Sequence, residues 1–389
     1  MMMGIIMRSV KLVEMLPFSV MVVMEGCTIL LTIWAKTSMT EYDMSPFVFV
    51  VYTHVLSSII LLLYSFVFHC KNTSATQQPL FSFGLFVRCF LLGLTGIAVS
   101  QNLAFLGLSY SSPILVCAMG LMLPTFSFLL SIILRTVILR RTKTDWRSSS
   151  FQAKVVGTII SIMGAIVVEL YKGPYIRPSS VLSSSSYSVL FQKAGQYLVF
   201  SSPATEHWVL GGILLAGASI SVSVWNIIQI GTMKLYPEVE VMEVVSYYSL
   251  LGTIQCVIFS LFIERSLSVW KLKLNMDLLL IVLTACFGGL VRSRVHNWCI
   301  NMKGTHYVPM FKPFGIVFAT IFGVSLSANN LHYGSVLGAV VTGVGYFTIM
   351  WGQIKEDEDE QCVNHNDQSH LESANSEAKV PLLEEEIGV

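Results

Sequence analysis

The chain has 389 residues, of which 54% are hydrophobic and only 12% charged. Soluble domains carry about a quarter charged residues, so this composition excludes an ordinary water-soluble globular protein and points to the bilayer. The formal charge of +1 hides a polarity: residues 353–389 hold 2 basic and 11 acidic residues, the remainder 22 basic and 12 acidic.

A helix needs about 20 apolar residues to cross a membrane. Ten runs are candidates, at 16–36, 46–68, 85–107, 111–135, 154–172, 208–230, 244–263, 278–300, 305–327 and 332–352. The expected fold class is therefore an all-α membrane protein with ten transmembrane helices. The first run comes after a short segment, 1–15, and contains Glu25. No small-residue cleavage site comes after it, and further spans do, so it reads as an anchor and not a removed signal peptide. The sequon Asn72-Thr73-Ser74 lies just beyond the second run. The fourth run contains Pro124. After the fifth, residues 174–207 with "SSVLSSSSYS" read as a flexible linker. The eighth run carries Arg292, Arg294 and His296 in its second half; the arginines are expected to snorkel to the inner headgroups, with pairing of one of them to Glu25 as the alternative. The ninth, in "VPMFKPFGIVFATIFG", sets Lys312 beside Pro313. Residues 353–389 read as a solvated, disordered acidic tail, with a dileucine-like Leu382-Leu383 near its end.

Orientation is set by the lysines and arginines of the connections. With the N-terminus in the cytoplasm, twelve fall inside and seven outside, and a dense cluster of six at 135–154 decides the matter. Ten spans return the tail to the cytoplasm. The sequon is then inside and expected to stay unmodified. Most of the eight cysteines lie in apolar runs, which predicts no disulfide framework. No CxxC or HExxH spacing predicts a metal.

The two halves share a pattern. "VVGTIISIMGAIVVELYKG" has Gly157 and Gly164; "SVLGAVVTGVGYFTIMWGQ" has Gly338 and Gly345. Each pair is seven apart and shares a helix face. "LPTFSFLLSII" around Pro124 is likewise answered by "KPFGIVFATIF" around Pro313. An odd number of spans per half makes the halves inverted, the arrangement of many secondary transporters, whose site lies near the midplane.

Together with "FVFVVYTHVLSSIILL", "VWNIIQIGTMKLYPEVE" and "LGTIQCVIFSLFIERSLSVWKL", these segments resemble one family over roughly 14–354. It is the plant nodulin-21/EamA-like transporters (UMAMIT, Walls-Are-Thin-related) of the drug/metabolite transporter superfamily. The block "AKVVGT…GA…YKGP" together with "YP…GTIQ…ER…W" is the specific part of the resemblance. The resemblance implies two inverted five-helix EamA repeats, 16–173 and 208–352, moving amino acids or related small organic solutes, often in both directions. Auxin or other indole compounds, or purines, are the alternative cargo. A transport-inactive regulator is another, motivated by Asn329 where the family has an acidic residue and by the basic end of the eighth run. Helices five and ten are expected as scaffold and homodimer seam. The partners expected are lipid and a small solute, without nucleic acid, cofactor or metal. No enzyme activity is expected, and no Walker-type nucleotide motif is present. The plasma membrane is the expected location, the vacuolar membrane the alternative.

Intramembrane charges are functional candidates because each costs roughly 2.5–3.5 kcal/mol or more at the bilayer centre. Thr28 and Thr32 share the face of Glu25. Glu25 and Lys312 lie about 13 and about 10 Å from the inner ends of their helices. They are expected to face each other, as a coupling and substrate-contact pair or as a permanent structural ion pair; a Lys312 that snorkels inward is the remaining alternative. Pro124 and Pro313 are expected to break two related helices, freeing backbone groups for a ligand or forming plain kinks. Gln101, Asn102, Asn226 and Gln229 are the polar pathway candidates, with His54 and Asn297 beside them; interhelical hydrogen bonding is their alternative role. Tyr248, Trp270 and Trp351 read as interface anchors. Small residues at 157/161/165 and 334/338/342 read as helix-packing faces.

Overall fold

The computed structural model describes residues 2–71, 82–137, 148–171, 205–237, 239, 241–266, 268–271, 275–304, 306–326 and 333–377. Asn72, most of the Ser-rich connection, Asn329 and Leu382-Leu383 lie outside these. Among the described residues the architecture is all-helical, without a strand. In chain order, α1 is Met2–Glu41, α2 Pro46–Lys71 and α3 Phe83–Tyr110. α4 comes in two pieces, Pro113–Leu121 and Leu123–Val137. α5 is Ser149–Leu170, α6 Thr205–Leu235, α7 Val241–Ile263 and α8 Met276–Lys303. α9 is a 3-10 turn at Pro309–Phe311 and then the helix Phe314–Leu326, and α10 is Tyr333–Glu377.

Among the described residues nine helices are long and apolar enough to cross a membrane. α9 is the exception: its apolar stretch is the shorter Pro309–Gly323, where a full span over 305–327 is expected. The reason is Pro313. It has no N–H to give, and its ring crowds the carbonyl four residues back, so the chain turns before the helix proper starts at Phe314. Other ends obey ordinary capping chemistry. Pro113 opens α4, and Ser112 Oγ accepts from Leu115 N. Lys36 Nζ donates to Ser109 O, 2.6 Å away, in the last turn of α3, where carbonyls lack helical partners.

The helices pack in matched sets: α1 on α9 and α6 on α4, α3 on α7 and α2 on α8, α5 on α10 and α2 on α7. The α5–α10 seam is the tightest. A Cβ on Gly164 would lie 2.5 Å from Thr342 N and 2.9 Å from Gly338 O; one on Gly338 would lie 2.9 Å from Gly164 O. Gly157 and Gly345 face each other the same way, at 2.8 and 2.7 Å. The glycine pairs that mark the two halves thus pack against each other, in descending register, so α5 and α10 run antiparallel. Their outward faces are apolar and exposed, with Ile159, Met163 and Ile166 on α5 and Leu337, Val340 and Val344 on α10. That surface suits lipid, whose tails provide the apolar surroundings that water would not.

α10 continues as helix through residues 353–377, where a disordered tail is expected. Two ion pairs hold its beginning: Glu356 with the buried Lys154 of α5, and Asp357 with His306 (2.9 Å) just before α9. The seven cysteines whose side chains are described are free thiols.

Candidate functional site

A cavity of about 480 Å³ lies among α1, α2, α3, α4, α6, α7 and α8. That volume suits a small organic molecule. Thr28 and Thr32 reach it from α1, His54, Thr53 and Ser57 from α2, and Gln101 and Phe105 from α3. α6 contributes Trp225, α7 Tyr248 and Ser249, and α8 Thr284, Phe287 and Arg292. Trp225 and Tyr248 meet edge to face, with ring centroids 6.1 Å apart. The lining threonines Thr28 and Thr32 bond carbonyls of their own helix, at Met24 and Thr28. Helical self-bonding lets a hydroxyl face an apolar region without a partner.

Two π turns shape this space. One, Leu94–Val99, interrupts α3; the other, Phe287–Val291, interrupts α8. Gly96 and Ile97 lie in the first and Phe287, Gly288 and Gly289 in the second, and all line the cavity. A π turn inserts a residue and rotates the helix beyond it, and it is frequent at functional sites. In α3 Gln101 comes shortly after the turn, and in α8 Arg292 comes immediately after it.

Lys312 Nζ lies 3.1 Å from Glu25 Oε1. The Glu25 side chain is 5% exposed and that of Lys312 30%. The pair stands one turn from the cavity, because Thr28 shares the face of Glu25 and lines it. Lys312 takes this position because α9 is broken beside it and α1 packs on α9.

Hydroxyls bond the backbone near both breaks. Pro313 frees the Pro309 carbonyl, and Tyr346 Oη of α10 donates to it at 2.7 Å. Beside the α4 break, Ser219 Oγ and Ser223 Oγ of α6 donate to Met119 O (3.0 Å) and Leu123 O (3.2 Å). At Pro313 the freed carbonyl is thus taken by a neighbouring helix.

The polar candidates separate. Gln101 and His54 line the cavity. Asn102 does not: it is buried, with Nδ2 on Ala98 O (2.7 Å) and Cys256 Sγ (3.2 Å), tying α3 to α7. Asn226 and Gln229 are half-buried and lie outside the lining, whereas their neighbour Trp225 is in it. Asn297 Nδ2 contacts Met242 Sδ at 3.8 Å. Trp351 is exposed, as an interface anchor would be, but Tyr248 belongs to the cavity.

Arg292 is a cavity residue that the sequence reading left out of the pathway. It is part of the lining. The signal that would have found it is the small pair Gly288-Gly289, three and four residues earlier on the same helix face. Arg294, two residues on, points elsewhere, with its guanidinium 5.0 Å from the Tyr64 ring centre. No group of His, Cys, Asp and Glu among the described residues could hold a metal.

No family model matches the chain. A WAT1-related protein of Arabidopsis thaliana is 54% identical over 375 residues, covering 95% of this chain and 96% of that protein. A second from the same plant is 51% identical over 367 residues, covering 94% of each. A third is 35% identical over 345 residues, covering 88% of each. Identity at this level across nearly the whole length, on a multi-span helical bundle with a central cavity, makes the chain an integral membrane protein of the WAT1-related, plant EamA-like transporter family.

Proposed function

We propose that the protein is a secondary or facilitative carrier of amino acids or related small organic solutes, working in both directions across the membrane. The observation that carries this reading is the cavity. It is small, lined by helices from both halves of the chain, and mixes hydroxyl, amide and arginine groups with aromatic walls. In this reading α9 completes ten crossings, the halves are inverted five-helix repeats, and the termini are cytoplasmic. The matched helix contacts, the antiparallel glycine seam and the paired breaks at Pro124 and Pro313 support it. In this scheme Gln101 contacts the solute, Asn102 holds α3 against α7, and the Glu25–Lys312 pair stands beside the cavity as a structural tie. No reacting group or cofactor enters the scheme, so the carrier is not an enzyme.

Radiolabelled efflux from oocytes or proteoliposomes tests it. Saturable flux of several amino acids is the expected result. Flux of indole compounds alone supports the second reading, which the Trp225–Tyr248 wall favours. No flux from well-folded protein overturns both and leaves a regulator. The plasma membrane is the proposed site, and a fluorescent fusion confined to the vacuolar membrane would overturn that. A homodimer would use the outward faces of α5 and α10, since their small residues are already packed on each other.

A further inference from the structure

The charges around the cavity do not balance. Lys312 is matched by Glu25 at 3.1 Å. Arg292 is the one fully charged side chain in the lining, and among the described residues no carboxylate lies within ion-pair distance of it. The nearby Lys312 is already matched by Glu25, so that pair is closed on itself. Position makes the unmatched charge costly. Arg292 is about 16 Å along α8 from the Lys303 end, too deep for easy contact with headgroups. Gln101, Thr32 and Ser249 add neutral polar groups to the same lining. An unmatched cation in a small space is complementary to an anion.

We infer that Arg292 is the anion anchor of the cavity, holding the carboxylate of the solute, while Glu25–Lys312 is a closed pair that fixes α1 to α9. This rests on the carrier reading above and assigns its recognition chemistry. Arginine suits the role because its planar fork meets a carboxylate with two parallel hydrogen bonds. The lining offers an ammonium group no carboxylate, only neutral acceptors such as Gln101 and the hydroxyls. Recognition therefore requires the solute's carboxylate and only tolerates an ammonium.

Three probes with one ring separate these demands: phenylacetate, phenylalanine and phenethylamine. Binding is read on the purified full chain in detergent as a rise in thermal midpoint, independently of flux. Phenylacetate and phenylalanine are expected to stabilise the wild type and phenethylamine not to. Arg292→Gln should raise the half-saturating concentration at least tenfold, and Arg292→Lys should recover part of the loss. Lys312→Met, which leaves the anchor in place, should move it far less. Equal stabilisation by phenethylamine, none by either carboxylate, or an unchanged value in Arg292→Gln overturns the anchor. The wild-type comparison decides even where a variant fails to fold. Carboxylate-dependent binding without flux in proteoliposomes would sink the carrier reading and leave the anchor standing.

Discussion

At the scale of the residue, Glu25 and Lys312 set the problem, since neither charge belongs among membrane helices alone. Removing one partner of a buried ion pair strands the other charge and costs roughly 3–5 kcal/mol, whereas removing both is often neutral. Lys312→Met alone, leaving Glu25 almost fully buried, is expected to lower the thermal midpoint clearly. Glu25→Gln with Lys312→Met is expected to return most of it. A double-mutant cycle on detergent-purified protein checks this; additive losses would mean the two side chains do not act as a pair. Tyr346 presents a smaller case. Tyr346→Phe removes the hydroxyl on the Pro309 carbonyl and should cost about 1 kcal/mol in the same measurement.

At the scale of the element, irregularities decide which side chains face the cavity. The Pro313 break shortens α9 and sets Lys312 against α1; the π turns in α3 and α8 precede Gln101 and Arg292. Glycine decides how closely the elements approach. An exposed helix gains up to about 1 kcal/mol when Gly becomes Ala. In the α5–α10 seam the added methyl would sit 2.5 Å from the partner backbone, at Gly164 and at Gly338 alike. Overpacking of this kind typically costs about 1–3 kcal/mol, so the clash wins. Gly164→Ala and Gly338→Ala should therefore lower the thermal midpoint. Gly120→Ala, with nothing within 4 Å of the new methyl, should leave it unchanged or raise it slightly.

At the scale of the whole molecule, the acidic segment is joined to the bundle and not merely appended. Glu356 and Asp357 tie α10 to Lys154 and His306 at one end of the bundle. Exposed Cys362 lies further along the same helix and offers a test of orientation. In a variant keeping only Cys362, a membrane-impermeant maleimide is expected to label inside-out vesicles and not right-side-out ones. Labelling from the outer side would overturn cytoplasmic termini. Charge reversal at the clasp gives a second test. Glu356→Lys should destabilise the α5–α10 end, and Lys154→Glu added to it should restore much of the loss in a protease-protection assay.

The sequence by itself determined the class, the helices and the repeat marks. Span length and the scarcity of charge come directly from the solvent, because hydrocarbon demands apolar side chains and internally bonded backbone. The Glu25–Lys312 meeting was also legible, since two opposite charges at matched depth have few other partners. Only the tertiary structure decided which polar residues share the cavity. Asn102 and Gln101 are neighbours in sequence, yet one ties α3 to α7 and the other lines the cavity. Arg292 joins the lining although its sequence neighbour Arg294 does not. A helical face is fixed by its neighbours and by inserted π turns, and neither can be read from the periodicity of one uniformly apolar segment.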